Sequence, residues 1–134
     1  MPSDSAAPIL LYVEDDALTQ DLVETALQEA GFEVLTASDG HEALVHLGAN
    51  IEALRGLITD INLGECPDGW EIARSARESI SGLPVLYVSG ACEHEWTVKG
   101  VPNSLMVGKP FAPAQIVVAI SSLIVASDSA PSQT

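Results

Sequence analysis

Five polar side chains stand out because each lies at the end of a short apolar run. Glu14 and Asp15 follow Ile9 to Val13, Asp60 lies in Leu57 to Ile61, Ser89 follows Val85 to Val88, and Lys109 comes just after Ser104 to Val107. Runs of this length, bounded by turn-forming residues, are predicted buried strands. In a parallel sheet the carboxyl ends of strands share one edge, so the five side chains are expected to meet there. Three converging carboxylates repel each other, by roughly 4 kcal/mol per pair at 4 Å with an effective dielectric of about 20. A hard divalent cation offsets that repulsion. Mg2+ suits the role, since it takes oxygen ligands, keeps several waters and sits beside carboxylates and phosphate; Mn2+ is the alternative. With a cation in place, the Asp60 carboxylate is a candidate nucleophile toward phosphorus. Lys109 offers a compact positive charge to one phosphoryl oxygen, and the Ser89 hydroxyl can donate to another. Phosphoryl transfer asks mainly for positioning and charge neutralisation, and these residue types provide both.

The elements that must hold these side chains alternate short apolar runs with helical periodicity, which predicts an α/β fold around a parallel sheet. Strand one (Ile9 to Val13) stops at Glu14-Asp15-Asp16, where Asp16 is the expected N-cap of a helix over Ala17 to Ala30. Leu18, Leu22, Ala26, Leu27 and Ala30 recur along it at helical spacing, and Gly31 supplies the stop. Strand two follows as Phe32 to Ala37; Ser38 or Asp39 then caps a helix carrying Ala43, Leu44 and Leu47. After strand three, Asp68 caps a helix with Ile72, Ala73 and Ala76 turned inward. Strand four begins after Pro84 and ends at Ser89-Gly90. The polar segment 91–102, with Gly100 and Pro102, predicts a reduced fourth helix, and Pro113 opens a last helix to about Val125. A doubly wound sheet in the order 2-1-3-4-5 places strands one and three side by side at the switch point, where such folds bind ligands.

Length and composition bound the rest. A chain of 134 residues is one ordinary domain. Residues 1–8 and 126–134 are rich in Ser, Ala and Pro and are expected to be flexible tails around a folded unit of 9–125. No apolar run reaches membrane-spanning length and the start lacks a signal-peptide pattern, so the expectation is a cytoplasmic protein without membrane attachment. Nineteen acidic residues against five basic ones, a net charge of −14, disfavour binding to nucleic acid. Cys66 and Cys92 lack disulfide or zinc-site spacing and read as free thiols.

Taken in order, LLYVEDD, ITDINL, DGWEIAR, PVLYVSG and GKPF make the chain, from about Ile9 to Val125, resemble the receiver domain of two-component response regulators. The resemblance implies a flavodoxin-like five-stranded sheet. It implies Asp60 as phosphoacceptor, with Glu14 and Asp15 as the acidic pair and Asp15 the more direct metal ligand. It further implies the Asn62 backbone carbonyl as a metal ligand, Ser89 as the switch hydroxyl, Lys109 as the phosphate-binding lysine, and a cis Lys109-Pro110 bond. The expected role is a stand-alone receiver in a phosphorelay. It takes phosphoryl from a histidine kinase or histidine phosphotransfer protein, catalyses its own Mg-dependent phosphorylation and slow dephosphorylation, and signals to a downstream protein through a changed surface. Three positions depart from the family pattern. The loop NLGECPDG is one residue longer than usual, Met106 stands where Tyr or Phe is common, and the fourth helix is weak.

Other features have blander readings. His41, His46 and His94 read as helix-surface or loop residues rather than phosphohistidines or ligands, and Trp70 and Trp96 as partial-core or partner contacts. The last helix has no charge from Ala112 to Val125, so Val118 and Val125 are expected to stay exposed, with a homodimer or partner surface as the functional reading. Two other functions compete: a receiver-like binding module that never uses phosphate, suggested by Met106 and the altered loop, and a metal-dependent phosphoester hydrolase. The hydrolase is disfavoured because no second general acid accompanies the cluster.

Overall fold

The computed structural model describes residues 7–63, 68–90 and 99–129. The strands are β1 (Ile9–Val13), β2 (Glu33–Ala37), β3 (Leu54–Asp60), β4 (Val85–Ser89) and β5 (Ser104–Gly108). The helices among the described residues are α1 (Ala17–Glu29), α2 (Gly40–Ala49), α3 (Gly69–Ser79) and α4 (Pro113–Ser129). All strand pairs are parallel, as expected from the alternation of strands and helices, and the sheet order is β2-β1-β3-β4-β5, the doubly wound order anticipated above. Of the segment 91–102 expected to hold a reduced helix, 91–98 lie outside the described residues, as do the positions of Cys66, Cys92, His94 and Trp96. No helix among the described residues is long and apolar enough to cross a membrane.

Central strands covered on both faces need near-continuous apolar runs, and β1 and β4 have them. Alternation sends Leu11 and Val13 to one face and Leu10 and Tyr12 to the other. The first face packs on α2 and α3 through Ala43, Leu47, Ile72, Ala73 and Ala76. The second packs on α1 and α4 through Val23, Leu27, Ile116 and Ile120. Each fully buried Ile or Leu contributes about 1.5–3 kcal/mol, so the two layers are the main source of stability. Gly56 lets α4 approach β3 closely: a Cβ there would lie 3.0 Å from Leu10 Cδ2 and 3.2 Å from Ile120 Cδ1.

Helix starts follow the sequence signals. Asp16, Asp39 and Asp68 are N-caps whose carboxylates accept from Thr19, Glu42 and Glu71 backbone N–H groups. Asp68 also completes a capping box with the Glu71 side chain. Asp68→Ala should therefore destabilise the fold by about 1 kcal/mol, read as a lower urea midpoint with an unchanged slope. Gly31, with φ 102°, turns the chain out of α1.

Three details differ from expectation, the first being that β3 begins at Leu54, three residues before Leu57. In α1 the inward stripe is Val23 and Leu27, while Leu18 and Leu22 are 69% and 53% exposed. Leu22 and Val23 are adjacent, and one residue turns a helix by about 100°, so the row 18-22-26-30 cannot face the sheet when 23-27 does. The last helix also runs on to Ser129, and Arg55 of β3 pairs with Asp128 on its final turn at 2.9 Å. Both partners of that pair are exposed, so it is worth at most about 1 kcal/mol. Val118 and Val125 remain exposed as expected, while Ile116, Ile120 and Ile124 form the buried row.

Candidate active site

The carboxyl ends of β1, β3, β4 and β5 form one edge of the sheet and carry the residues singled out above. In register, Val13 of β1 pairs with Thr59 of β3. The next residues, Glu14 and Asp60, therefore leave neighbouring strand ends together. Glu14 is 1% exposed and Asp60 3%, while Asp15 faces solvent. Each of the three carboxylates offers an oxygen within 4.8 Å of the others. This is the convergence expected from the strand order.

Local bonds hold each group. The Glu14 N–H donates to Ala37 O at 3.0 Å, extending the β1–β2 ladder past the end of β1. Glu14 Oε2 accepts from Asp16 N at 3.0 Å. The Gln20 amide donates to Glu14 O at 3.0 Å and Ala37 O at 3.2 Å, fastening α1 to the site. Asn62 N donates to Asp60 Oδ1 at 3.1 Å, and Lys109 Nζ donates to Asp60 Oδ2 at 2.6 Å. Lys109 Nζ also lies 4.0 Å from Glu14 Oε1. The lysine backbone is fixed by its N–H donating to Ser89 O at 2.8 Å, and the Lys109-Pro110 peptide is cis. Ser89 is buried at the end of β4, one residue beyond the Asp60↔Val88 register pair.

The electrostatics follow from this crowding. Burial, reinforced by the Asp60 charge and opposed by the Asp16 N–H and Lys109, pushes the Glu14 carboxyl up to about 7. Burial works against the Lys109 charge, but the hydrogen bond to Asp60 and the charges of Asp60, Glu14 and Asp15 outweigh it and hold the amine above its ordinary value. Lys109 thus stays cationic. One cation does not neutralise three carboxylates, and Glu14 Oε1 is buried without a hydrogen-bond partner among the described residues. An orphaned carboxylate oxygen in an acidic cluster of hard oxygen donors fits a divalent cation.

Sequence reasoning did not single out Tyr12, Gln20 or Gly69. Gln20 had no motif to mark it, whereas Gly69 belonged to the Asp-Gly pair that opens α3. Beside Lys109 lies an apolar cleft of about 420 Å³ lined by Thr19, Leu22, Val23, Pro110, Phe111 and Pro113. The exposed Leu22 of α1 is one of its walls. His41 and His46 lie on α2 and are not members of the acidic cluster, and Trp70 is a core residue whose ring meets that of Tyr87 in a tilted contact, with centroids 4.7 Å apart and planes inclined at 52°. The Tyr87 hydroxyl in turn accepts from Val101 N at 3.0 Å. Met106, opposite Tyr87 in register, is part-buried against the same core.

Comparison with known proteins agrees with this architecture. A family model described as "Response regulator receiver domain" matches residues 10–121. A probable transcriptional regulatory protein, SilR of Salmonella typhimurium, is 35% identical over 118 residues, covering 86% of this chain and 50% of that protein. The chain spans about half the length of the curated relatives it matches. Among solved structures, a response regulator receiver protein from Sinorhizobium medicae superposes with a TM-score of 0.86 at 39% identity, covering 90% of this chain and 97% of that one. The Vibrio cholerae chemotaxis protein CheY4 superposes with a TM-score of 0.74 at 27% identity, covering 88% and 99%.

Proposed function

Because this chain belongs to the response regulator receiver domain family, we propose that it accepts a phosphoryl group on Asp60 from a histidine kinase or histidine phosphotransfer protein. The observation that carries this reading is Asp60 itself. Its carboxylate is nearly buried, pinned by Asn62 N on one oxygen and Lys109 Nζ on the other, and shares a sheet edge with Glu14 and Asp15.

An Asp60 carboxylate oxygen attacks phosphorus, an O–P bond forms, and the P–N bond to the donor histidine breaks with the electron pair leaving on the imidazole. Asn62 N and the packing of β3 hold the nucleophile in place. Lys109 moves from the carboxylate to a phosphoryl oxygen, and the Ser89 hydroxyl donates to another. Glu14, Asp15, Asp60 and the Asn62 carbonyl would hold Mg2+ or Mn2+, which when bound neutralises the charge gathered by carboxylates and phosphoryl oxygens. Hydrolysis of the acyl phosphate by water returns Asp60 to its carboxylate, and a downstream protein reads the changed surface in between.

The test is incubation of the protein with a small phosphodonor and Mg2+, followed by intact mass. Gain of one phosphoryl group that maps to Asp60 supports the reading; an unmodified chain points instead to a receiver-like binding module. Lys109→Ala is expected to keep some acceptance but slow it roughly tenfold or more. It removes one charge-assisted bond, worth about 1.5–3 kcal/mol, and leaves the nucleophile in place. The initial rate of mass gain measures this.

A further inference from the structure

Two buried side-chain polar atoms have no hydrogen-bond partner among the described residues: the Tyr12 hydroxyl and Glu14 Oε1. They belong to residues two apart along β1 and its immediate extension, so both side chains leave the same face of the sheet. Tyr12 pairs with Ile58 in register, which places it one step beneath the neighbouring Glu14 and Asp60. It is completely buried in a cluster otherwise built from Leu10, Ile58, Leu86, Val88, Ile116 and Ile120. A phenol in such surroundings leaves its hydroxyl unpaid for unless a neighbour accepts from it.

Glu14 is the complementary case. Its Oε2 is fixed by Asp16 N, but Oε1 has only Lys109 Nζ at 4.0 Å, an ion-pair separation too long for a hydrogen bond. A carboxylate only accepts, and the tyrosine hydroxyl can donate. A tyrosine hydroxyl carries its proton at neutral pH and so is available as a donor.

We propose that Tyr12 is a positioning residue whose hydroxyl, unpartnered among the described residues, donates to Glu14 Oε1 when a divalent cation is bound and holds that carboxylate in the orientation that receives it. The proposal rests on the reading of Glu14 as part of a cation-binding cluster. A carboxylate oxygen accepts in more than one direction, so the bond from Tyr12 leaves room for the cation or a water bound to it. Groups that orient a ligand from behind typically change metal affinity by about 10- to 100-fold when removed.

The experiment is a double-mutant cycle on the full chain, with Mg2+ binding followed by titration calorimetry and the melting temperature of the metal-free protein recorded alongside. Tyr12→Phe should weaken Mg2+ binding about tenfold without lowering the metal-free melting temperature, because the phenyl ring fills the same space. Glu14→Gln should weaken binding too, and the double variant should bind no more weakly than Glu14→Gln alone. Unchanged affinity in Tyr12→Phe, losses that simply add in the double variant, or a loss that tracks a fall in melting temperature would each overturn the role of Tyr12 while leaving the metal site standing. Absence of Mg2+ binding by the unaltered protein would overturn the metal site, and the role of Tyr12 with it.

Discussion

Asp60→Asn is expected to abolish phosphorylation, with the rate of acceptance falling on the order of 10⁴-fold or more, as losses of a nucleophile commonly do. The amide has nearly the shape of the carboxylate, so the β3 end and its register with β4 should survive. What disappears is the anionic oxygen that attacks phosphorus and the charge that Lys109 pairs with at 2.6 Å. The substitution also relieves repulsion among three carboxylates, so folding is not expected to suffer. Circular dichroism should match the unaltered chain while the intact mass stays unchanged after incubation with phosphodonor and Mg2+. Labelling that persists in this variant would move the acceptor to another residue.

Gly69→Ala should damage folding and phosphorylation together. Gly69 opens α3, and its N–H donates to Ile61 O at 3.0 Å, so the helix start rests on the backbone that carries Asp60. A Cβ at this position would collide with the Asp60 carbonyl and lie 2.7 Å from Ile61 Cα. Both obstacles are backbone, which cannot rotate away as a side chain would. Overpacking usually costs about 1–3 kcal/mol, and this site belongs at or above the upper end. Relief of the clash displaces either α3 or the Asp60 loop. A fall in urea midpoint accompanied by slower phosphoryl acceptance is therefore expected, whereas Gly48→Ala in α2, where a Cβ meets nothing within 4 Å, should leave acceptance unchanged and raise stability by about 0.5–1 kcal/mol. Equal stability of the two variants would contradict the close approach.

Most of the sheet was legible because its central strands are continuous apolar runs closed by polar residues. The parallel sheet followed from the alternation of strands and helices, its order from the doubly wound, flavodoxin-like form that the resemblance implies, and the caps from Asp16, Asp39 and Asp68. Legibility failed where a choice between neighbours depended on a partner surface. In α1, Leu18, Leu22, Val23 and Leu27 are all apolar, and local periodicity does not say which row meets the sheet. Packing against α4 and β1 selected Val23 and Leu27 and left Leu22 to wall the cleft beside Lys109.

The same division holds at the site. Residue types and their places at strand ends determined that carboxylates, a hydroxyl and an amine would gather at one edge, because a parallel sheet brings its carboxyl ends together whatever the loops do. Tertiary structure decided the rest: that Glu14 is buried and Asp15 exposed, that Lys109 rests on Asp60, that Gly69 must lack a side chain, and that Tyr12 lies beneath the acidic cluster. Those outcomes depend on ångström-scale contacts between segments remote in sequence, and pattern along the chain specifies which face a residue occupies, not what it meets there.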